Sequence, residues 1–166
     1  MNLKFQKMYM EIAETVSKMS SAKRLQVGAI IVKDNRIISL GYNGTPANWD
    51  NNCESKEWMP KGCLHPEEYP EEEYSDYGYA VVGKYRLKTK PEVIHAEANA
   101  ILKLASSSES GSGATMFLTH APCINCAKMI YGADIINVFY KNEYRDNGGV
   151  KFLEKCGVYT YLQQGN

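Results

Sequence analysis

Apolar positions recur along this chain with two different periods, which predict helices and strands. The first segment, residues 3–19, has the spacing of one face of an α-helix, with apolar residues at Leu3, Met8, Ile12, Val16 and Met19. A β-branched run follows at residues 27–32, then a polar turn at 33–36 and a second apolar run at 37–40. This succession predicts a β-hairpin.

Helix and strand patterns alternate in the second half of the chain. The predicted order is a helix at 96–105, a Ser/Gly connector at 106–113, a strand at 115–119, a helix at 123–131, a strand at 135–140, a short helix ending over 151–155 and a strand at 158–162. Such alternation predicts an α/β fold with a sheet between helix layers. The length of 166 residues suits one domain.

Residues 47–92 show neither period clearly. They hold Cys53, Cys63 and His65, followed by an acidic, tyrosine-rich stretch. We expect them to form an insertion with little regular structure inside a single domain of residues 1–166. A long loop in a small domain is usually functional or tied down.

Charge and cysteine content narrow the function classes. The 19 basic residues balance 19 acidic ones, which argues against a nucleic-acid-binding protein. No apolar run reaches membrane-spanning length and no export signal is visible, so we expect a cytoplasmic protein without membrane contacts. Five cysteines in such a chain favour metal binding or catalysis over disulfides.

Two short motifs carry the chemistry, His95-Ala96-Glu97 and Pro122-Cys-Ile-Asn-Cys126. Each opens a predicted helix after extended chain. A catalytic zinc keeps three protein ligands and leaves one position for water, and one imidazole with two thiolates fills three positions. Because Cys123 and Cys126 are three residues apart, a helix places them on one face, and its N-terminus favours the thiolate form.

Glu97 stands two residues from His95 and does not easily share the ligand role. It is better placed to take a proton from a zinc-activated water and to deliver it to a ring nitrogen and a leaving amine. His-x-Glu followed by Pro-Cys-x-x-Cys is the signature of zinc-dependent deaminases. The alternatives are a structural zinc knuckle or redox pair for the cysteines and a surface helix start for His95. A non-catalytic zinc fold would not need Glu97.

Four segments carry a resemblance to a known family. They are residues 27–32 (Val-Gly-Ala-Ile-Ile-Val), 41–46 (Gly-Tyr-Asn-Gly-Thr-Pro), 95–102 (His-Ala-Glu-Ala-Asn-Ala-Ile-Leu) and 122–128 (Pro-Cys-Ile-Asn-Cys-Ala-Lys). Together they resemble the deoxycytidylate (dCMP) deaminase branch of the cytidine deaminase superfamily. The resemblance covers residues 3–162 apart from the insertion and the connector.

The resemblance implies a three-layer α/β/α sandwich around a five-stranded mixed sheet. It implies hydrolysis of dCMP to dUMP and ammonia, which feeds thymidylate synthesis. It further implies a homo-oligomer, often a hexamer, activated by dCTP and inhibited by dTTP. Mg²⁺ would accompany a nucleoside triphosphate effector.

The resemblance also assigns roles to residues. His95, Cys123 and Cys126 are the expected zinc ligands and Glu97 the proton shuttle, while the Asn43 side chain and the Ala96 N–H bind the nucleoside. We expect Arg24 to meet the 5′-phosphate, with Lys23, Tyr140 and Lys141 as competitors. The effector site is expected near the loop that contains Gly41, Tyr42, Gly44, Thr45 and Pro46.

Two points stay open at this stage. Relatives often carry a second, structural zinc, for which Cys53, Cys63 and His65 supply three ligands, but no fourth is evident; the alternative is buried free cysteines and a loop histidine. The substrate is also open among dCMP, dCTP, the free nucleoside and a polynucleotide base. The zero net charge disfavours the polynucleotide.

Overall fold

The computed structural model describes residues 1–74 and 81–163 of the chain. The helices in these ranges are α1 (Leu3–Ser17), α2 (Ala96–Ala105), α3 (Ile124–Gly132) and α4 (Gly148–Lys155), with a 3₁₀ turn at Pro66–Glu68. The strands are β1 (Gly28–Lys33), β2 (Arg36–Tyr42), β3 (Glu54–Trp58), β4 (Glu71–Tyr74), β5 (Val81–Thr89), β6 (Thr115–His120), β7 (Asn137–Asn142) and β8 (Tyr159–Leu162).

The main sheet has five strands in the order β2-β1-β6-β7-β8. Strand β1 runs antiparallel to both of its neighbours, whereas β6, β7 and β8 are parallel. The predicted mixed sheet is therefore confirmed. Parallel strands end at the same edge of a sheet, so the residues that follow β6 and β7 lie close together.

Alternation along the strands separates two apolar layers. Ile30 and Val32 of β1 pack with α1, in a cluster that includes Tyr9, Met10, Ala13, Val16, Phe117 and Phe139. Ala29 and Ile31 face the opposite side, where the cluster includes Ala96, Ala100, Leu104, Ala127, Ile130 and Leu153 of α2, α3 and α4. Helices on both faces confirm the predicted three-layer α/β/α architecture.

Two glycines hold helices unusually close to the sheet. A Cβ atom at Gly28 would lie 2.1 Å from the carbonyl oxygen of Ala13 in α1. A Cβ atom at Gly41 would lie 2.3 Å from the carbonyl oxygen of Ala96 in α2. The second contact fixes the first turn of α2 against β2, and that turn carries the His-Ala-Glu motif.

The prediction of an irregular segment at residues 47–92 was wrong. Strands β3, β4 and β5 form a separate antiparallel sheet in the order β3-β5-β4. Ion pairs join neighbouring strands of this sheet, with Arg86 of β5 2.5 Å from Glu57 of β3 and Lys84 of β5 3.4 Å from Glu72 of β4. Pairs of opposite charge can stabilise neighbouring strands that have no alternating apolar pattern. The apolar pattern of the sequence therefore did not predict these three strands.

The length and polarity of the helices show whether any of them could span a membrane. Across the described ranges, every helix is too short or too polar to cross a lipid bilayer.

Candidate metal centre and substrate cavity

The two motifs meet because each begins a helix on the same face of the sheet. His95 is the N-cap residue of α2, and Cys123 is the N-cap residue of α3. Both have extended backbone dihedrals, so each side chain leaves the helix at its positive end. Cys126 lies in the first turn of α3 and is 2% exposed.

The three side chains have the spacing of a metal site. The Nδ1 atom of His95 lies 3.7 Å from Sγ of Cys123 and 3.5 Å from Sγ of Cys126. Tetrahedral zinc with ordinary bond lengths separates nitrogen and sulfur ligands by about 3.6 Å. Among the described residues this trio forms a compact metal-ligating group, with all ligand atoms within 4.8 Å of one another. The donor set and its geometry fit zinc.

The electrostatics of the trio favour binding a cation. Hydrogen bonds with Cys126 and then His95 lower the pKa of the Cys123 thiol to about 3. The contact with Cys123, together with burial, raises the pKa of Cys126. Zinc binds cysteine as thiolate, so a bound ion would hold both sulfurs in their deprotonated form.

Glu97 faces the same site from the first turn of α2. It is 4% exposed, and burial raises the pKa of its carboxyl group. Cys126 and His95 are among the groups that act on this carboxyl. A carboxyl group with a raised pKa beside a metal site is suited to exchanging protons near neutral pH.

A cavity of about 280 Å³ opens onto the metal site. Its lining includes His95, Ala96, Glu97 and Cys123, together with Asn43 and Arg24. The structure thus brings together the metal trio, the proposed proton shuttle and three of the six residues considered for substrate binding, namely Asn43, Ala96 and Arg24. A larger open cavity at the other end of the sheet contains none of the expected site residues.

Arg24 lines this cavity, and its side chain is held by a hydrogen bond to another lining residue, Thr89. The Arg24 Nη1 atom donates to the hydroxyl of Thr89 at 3.1 Å. Arg145 and Tyr144, in the segment after β7, also line the cavity, and the Arg145 guanidinium lies 5.6 Å from the Tyr144 ring. Sequence reasoning missed this second cation. Its signal was available, because the segment follows a strand parallel to β6, whose end reaches the metal site.

Two other expected phosphate ligands lie elsewhere. The Lys141 ammonium group pairs with Glu14 of α1, on the opposite face of the sheet. Tyr140 packs against the apolar core beneath α2 and α3. Neither residue is part of the cavity lining, and neither is Lys23. Of the cations considered from the sequence, Arg24 alone lines the cavity among the described residues.

Asn43 is a lining residue whose amide group is already engaged. Its Oδ1 atom accepts from the Val27 N–H at 2.8 Å, and its Nδ2 atom donates to the Leu25 carbonyl at 2.8 Å. These bonds fix the segment that carries Arg24. One amide hydrogen of Asn43 remains for a ligand, since the group has two donors.

The residues expected to hold a second zinc are not assembled. Cys53 is buried with Ala22 and Val93, and its sulfur lies 3.4 Å from the Ser21 hydroxyl. His65 is exposed and lies 3.0 Å from Glu67. Cys53, Cys63 and His65 form no metal-ligating group within the part of the chain that the structure describes. The arrangement does not fit a second zinc.

The loop at residues 41–46 is structurally tied to the metal site. Gly44 forms two backbone hydrogen bonds with Ile94, immediately before His95. The Thr45 hydroxyl donates to the Asp50 carbonyl at 2.6 Å. Displacement of this loop would therefore be transmitted to the start of α2.

Comparison with known proteins agrees with this geometry. Residues 3–142 match the family described as the cytidine and deoxycytidylate deaminase zinc-binding region. A deoxycytidylate deaminase of Enterobacteria phage T2 is 36% identical over 166 residues, which cover 92% of this chain and 88% of the relative.

Solved structures support the same grouping. The dCMP deaminase of cyanophage S-TIM5, crystallised with dCMP and dUMP, superimposes with a TM-score of 0.76 at 36% identity, covering 99% of both chains. A diaminohydroxyphosphoribosylaminopyrimidine deaminase/5-amino-6-(5-phosphoribosylamino)uracil reductase from Thermotoga maritima shares the fold, with a TM-score of 0.62 at 20% identity over 96% of this chain and 36% of that protein. The chain belongs to the cytidine and deoxycytidylate deaminase family and is a zinc-dependent deaminase.

Proposed function

We propose that this protein hydrolyses dCMP to dUMP and ammonia and so supplies dUMP for thymidylate synthesis. The observation that carries the proposal is one cavity whose lining includes His95 and Cys123 of the metal trio, Glu97, and the two arginines Arg24 and Arg145. The full-length similarity to a cyanophage enzyme crystallised with dCMP and dUMP supports the same substrate.

The residues divide the work by position. His95, Cys123 and Cys126 would hold zinc, which when bound would lower the pKa of a water molecule and make it a nucleophile near neutral pH. The Glu97 carboxyl group would transfer two protons in turn, the first to N3 of the cytosine ring and the second, taken from the new hydroxyl on C4, to the amine that leaves as ammonia. The Ala96 N–H, in the first turn of α2, is free of intrahelical partners and donates to the base carbonyl.

Two arginines in the cavity lining would set the choice of nucleotide. The guanidinium groups of Arg24 and Arg145 present planar donors that match phosphate oxygens. Their charge-assisted bonds would add binding energy far from the reacting carbon, and this energy would hold the base against the metal site. A nucleoside without phosphate would lose these contacts.

Regulation and assembly form a second part of the proposal. The protein is proposed to assemble as a homo-oligomer, and the family resemblance favours a hexamer. It is further proposed to bind two effectors at the loop of residues 41–46, dCTP with Mg²⁺ as an activator and dTTP as an inhibitor. Two exposed apolar side chains on neighbouring elements support a subunit boundary here, with Leu40 of β2 40% exposed and Leu102 of α2 53% exposed.

The test is a direct reaction. Zinc-loaded protein is incubated with dCMP, and dUMP and ammonia are quantified together. The proposal requires both products in equal amounts. Absence of dUMP from zinc-replete, folded protein would remove it.

A further inference from the structure

One carboxylate oxygen in the cavity has no role in the reaction described so far. Glu54, the first residue of β3, is 5% exposed and lines the cavity beside Arg24. Its Oε1 atom accepts the backbone N–H groups of Lys23 at 3.0 Å and Arg24 at 3.2 Å. Its Oε2 atom is buried and lacks a hydrogen-bond partner within the described residues.

A buried polar atom without a partner is costly, so it is informative about a ligand. An unpaired buried carboxylate oxygen loses its hydration without a replacement. The oxygen accepts only, and the partner it lacks is therefore a hydrogen-bond donor. Two backbone bonds hold the carboxylate in place, so the acceptor is preorganised before a ligand arrives.

The chemistry of the nucleotide identifies that donor. Resting on the proposed function, the exocyclic amine of dCMP must lie at the metal trio and Glu97, and the phosphate offers acceptors that a carboxylate repels. The 3′-hydroxyl of the sugar is the donor that remains. The 3′-hydroxyl and the 5′-phosphate group are carried by the same sugar. Glu54 likewise contacts the backbone of Arg24, so a phosphate bound at Arg24 would bring the 3′-hydroxyl near Glu54.

We infer that Glu54 accepts a hydrogen bond from the 3′-hydroxyl of the substrate and thereby confines the enzyme to free nucleotides. In a polynucleotide this hydroxyl is esterified to phosphate, which removes the donor and places a negative charge against the carboxylate. The cavity then rejects an internal deoxycytidine of DNA at its sugar. Glu54 thus determines specificity. Its side chain also positions Arg24, because it accepts hydrogen bonds from the backbone N–H groups of Lys23 and Arg24.

The test compares dCMP with 2′,3′-dideoxy-CMP, which lacks the hydroxyl. We expect wild-type protein to favour dCMP in kcat/KM by roughly ten- to a hundredfold, the range of a hydrogen bond to a charged group. In Glu54→Ala this preference should fall to about one. If the variant slows both substrates equally and keeps the preference, Glu54 is only a structural support and the inference is overturned.

A second variant preserves the loop. Glu54→Gln keeps an oxygen for the Lys23 and Arg24 N–H groups but carries no charge. Its activity on deoxycytidine 3′,5′-bisphosphate, relative to dCMP, should rise by roughly tenfold as like-charge repulsion is removed. An unchanged ratio contradicts the inference. The control is Glu57→Gln on the same strand, since Glu57 pairs with Arg86 away from the cavity and should leave both ratios as in wild type.

A binding measurement separates this inference from the proposed function. Calorimetry compares dUMP with 2′,3′-dideoxy-UMP on wild type and on both Glu54 variants, without any turnover. A wild-type preference for dUMP that disappears in Glu54→Ala supports the contact. Equal affinity of wild type for the two nucleotides overturns it, whether or not dCMP is deaminated.

Discussion

The Nδ1 atom of His95 lies 3.5 Å from the Sγ atom of Cys126, although the two residues are 31 positions apart in the sequence. The contact joins the first turns of α2 and α3, which are packed on one face of the sheet. Because neither residue needs to move for both to reach one ion, the site is preorganised for metal.

The first prediction concerns the metal ligands. Cys123→Ser should lose the zinc, which we expect at one ion per chain, and activity should disappear with it because a neutral hydroxyl is a poor substitute for thiolate. Zinc is measured by elemental mass spectrometry alongside dCMP turnover. Cys156→Ser is the matched control, since Cys156 is exposed and outside the trio. Full activity of metal-free protein would contradict the site.

Glu97→Gln separates proton transfer from metal binding. The variant should retain zinc and the folded state, while kcat falls by about 10²- to 10⁴-fold, the contribution of positioned acid–base catalysis. Zinc content and turnover are measured on the same sample, with Glu71→Gln on the exposed strand β4 as control. Zinc loss in Glu97→Gln would instead make Glu97 a ligand.

The two cavity arginines should act on the phosphate. We expect Arg24→Ala and Arg145→Ala each to lower kcat/KM for dCMP by roughly tenfold or more, the worth of a charge-assisted bond. Deoxycytidine turnover should stay nearly unchanged. Lys23→Ala is the matched control, because Lys23 neighbours Arg24 without lining the cavity. Equal losses for nucleotide and nucleoside would show that these arginines do not bind phosphate.

Gly149 in α4 supports the metal site through backbone contact. A Cβ atom there would lie 2.0 Å from the Pro122 carbonyl oxygen and 2.8 Å from the carbonyl carbon of Cys123. Gly149→Ala should lower the free energy of unfolding by about 1–3 kcal/mol and weaken zinc retention. Gly132→Ala, where a Cβ atom meets open space, should change stability by less than about 1 kcal/mol. Chemical denaturation of both variants makes the comparison.

Effector binding is tested at low substrate. If dCTP and dTTP bind near the loop of residues 41–46, they should shift the rate of subsaturating dCMP turnover in opposite directions. Thr45→Val, which removes the hydroxyl bonded to Asp50, should weaken both effects more than it changes the basal rate. Rates that ignore both nucleotides would remove the regulatory proposal and leave the catalytic one intact.

The sequence predicted those parts of the fold whose pattern is local. Helix α2 spans residues 96–105, as its helix-forming and apolar residues predicted, and the β1–β2 hairpin follows its β-branched runs. Residues 47–92 were misjudged because their strands are joined by charge pairs and carry no apolar alternation. Pairing of that kind depends on partners distant in sequence.

The candidate site shows the same division. The two motifs that supply the metal trio are short and local in the sequence, whereas His95 and Cys126 meet because α2 and α3 pack on one face of the sheet. Lys141 was misplaced because the sequence does not show which face of β7 its side chain takes, and it pairs with Glu14. Glu54 enters the cavity from a segment far from either motif, so only the folded chain reveals it, whereas Arg145 follows a predicted strand that lies beside β6.

A competition among nucleotides in one reaction tests the central claim most directly. Zinc-loaded protein receives equal, subsaturating amounts of dCMP, deoxycytidine, dCTP and CMP, and chromatography follows the loss of each, so the rates of loss give the ratios of kcat/KM. We predict that dCMP is consumed first, with a kcat/KM several orders of magnitude above that of deoxycytidine. The products dUMP and ammonia should form in a one-to-one ratio. Earlier loss of deoxycytidine or dCTP, or persistence of all four, would contradict the account.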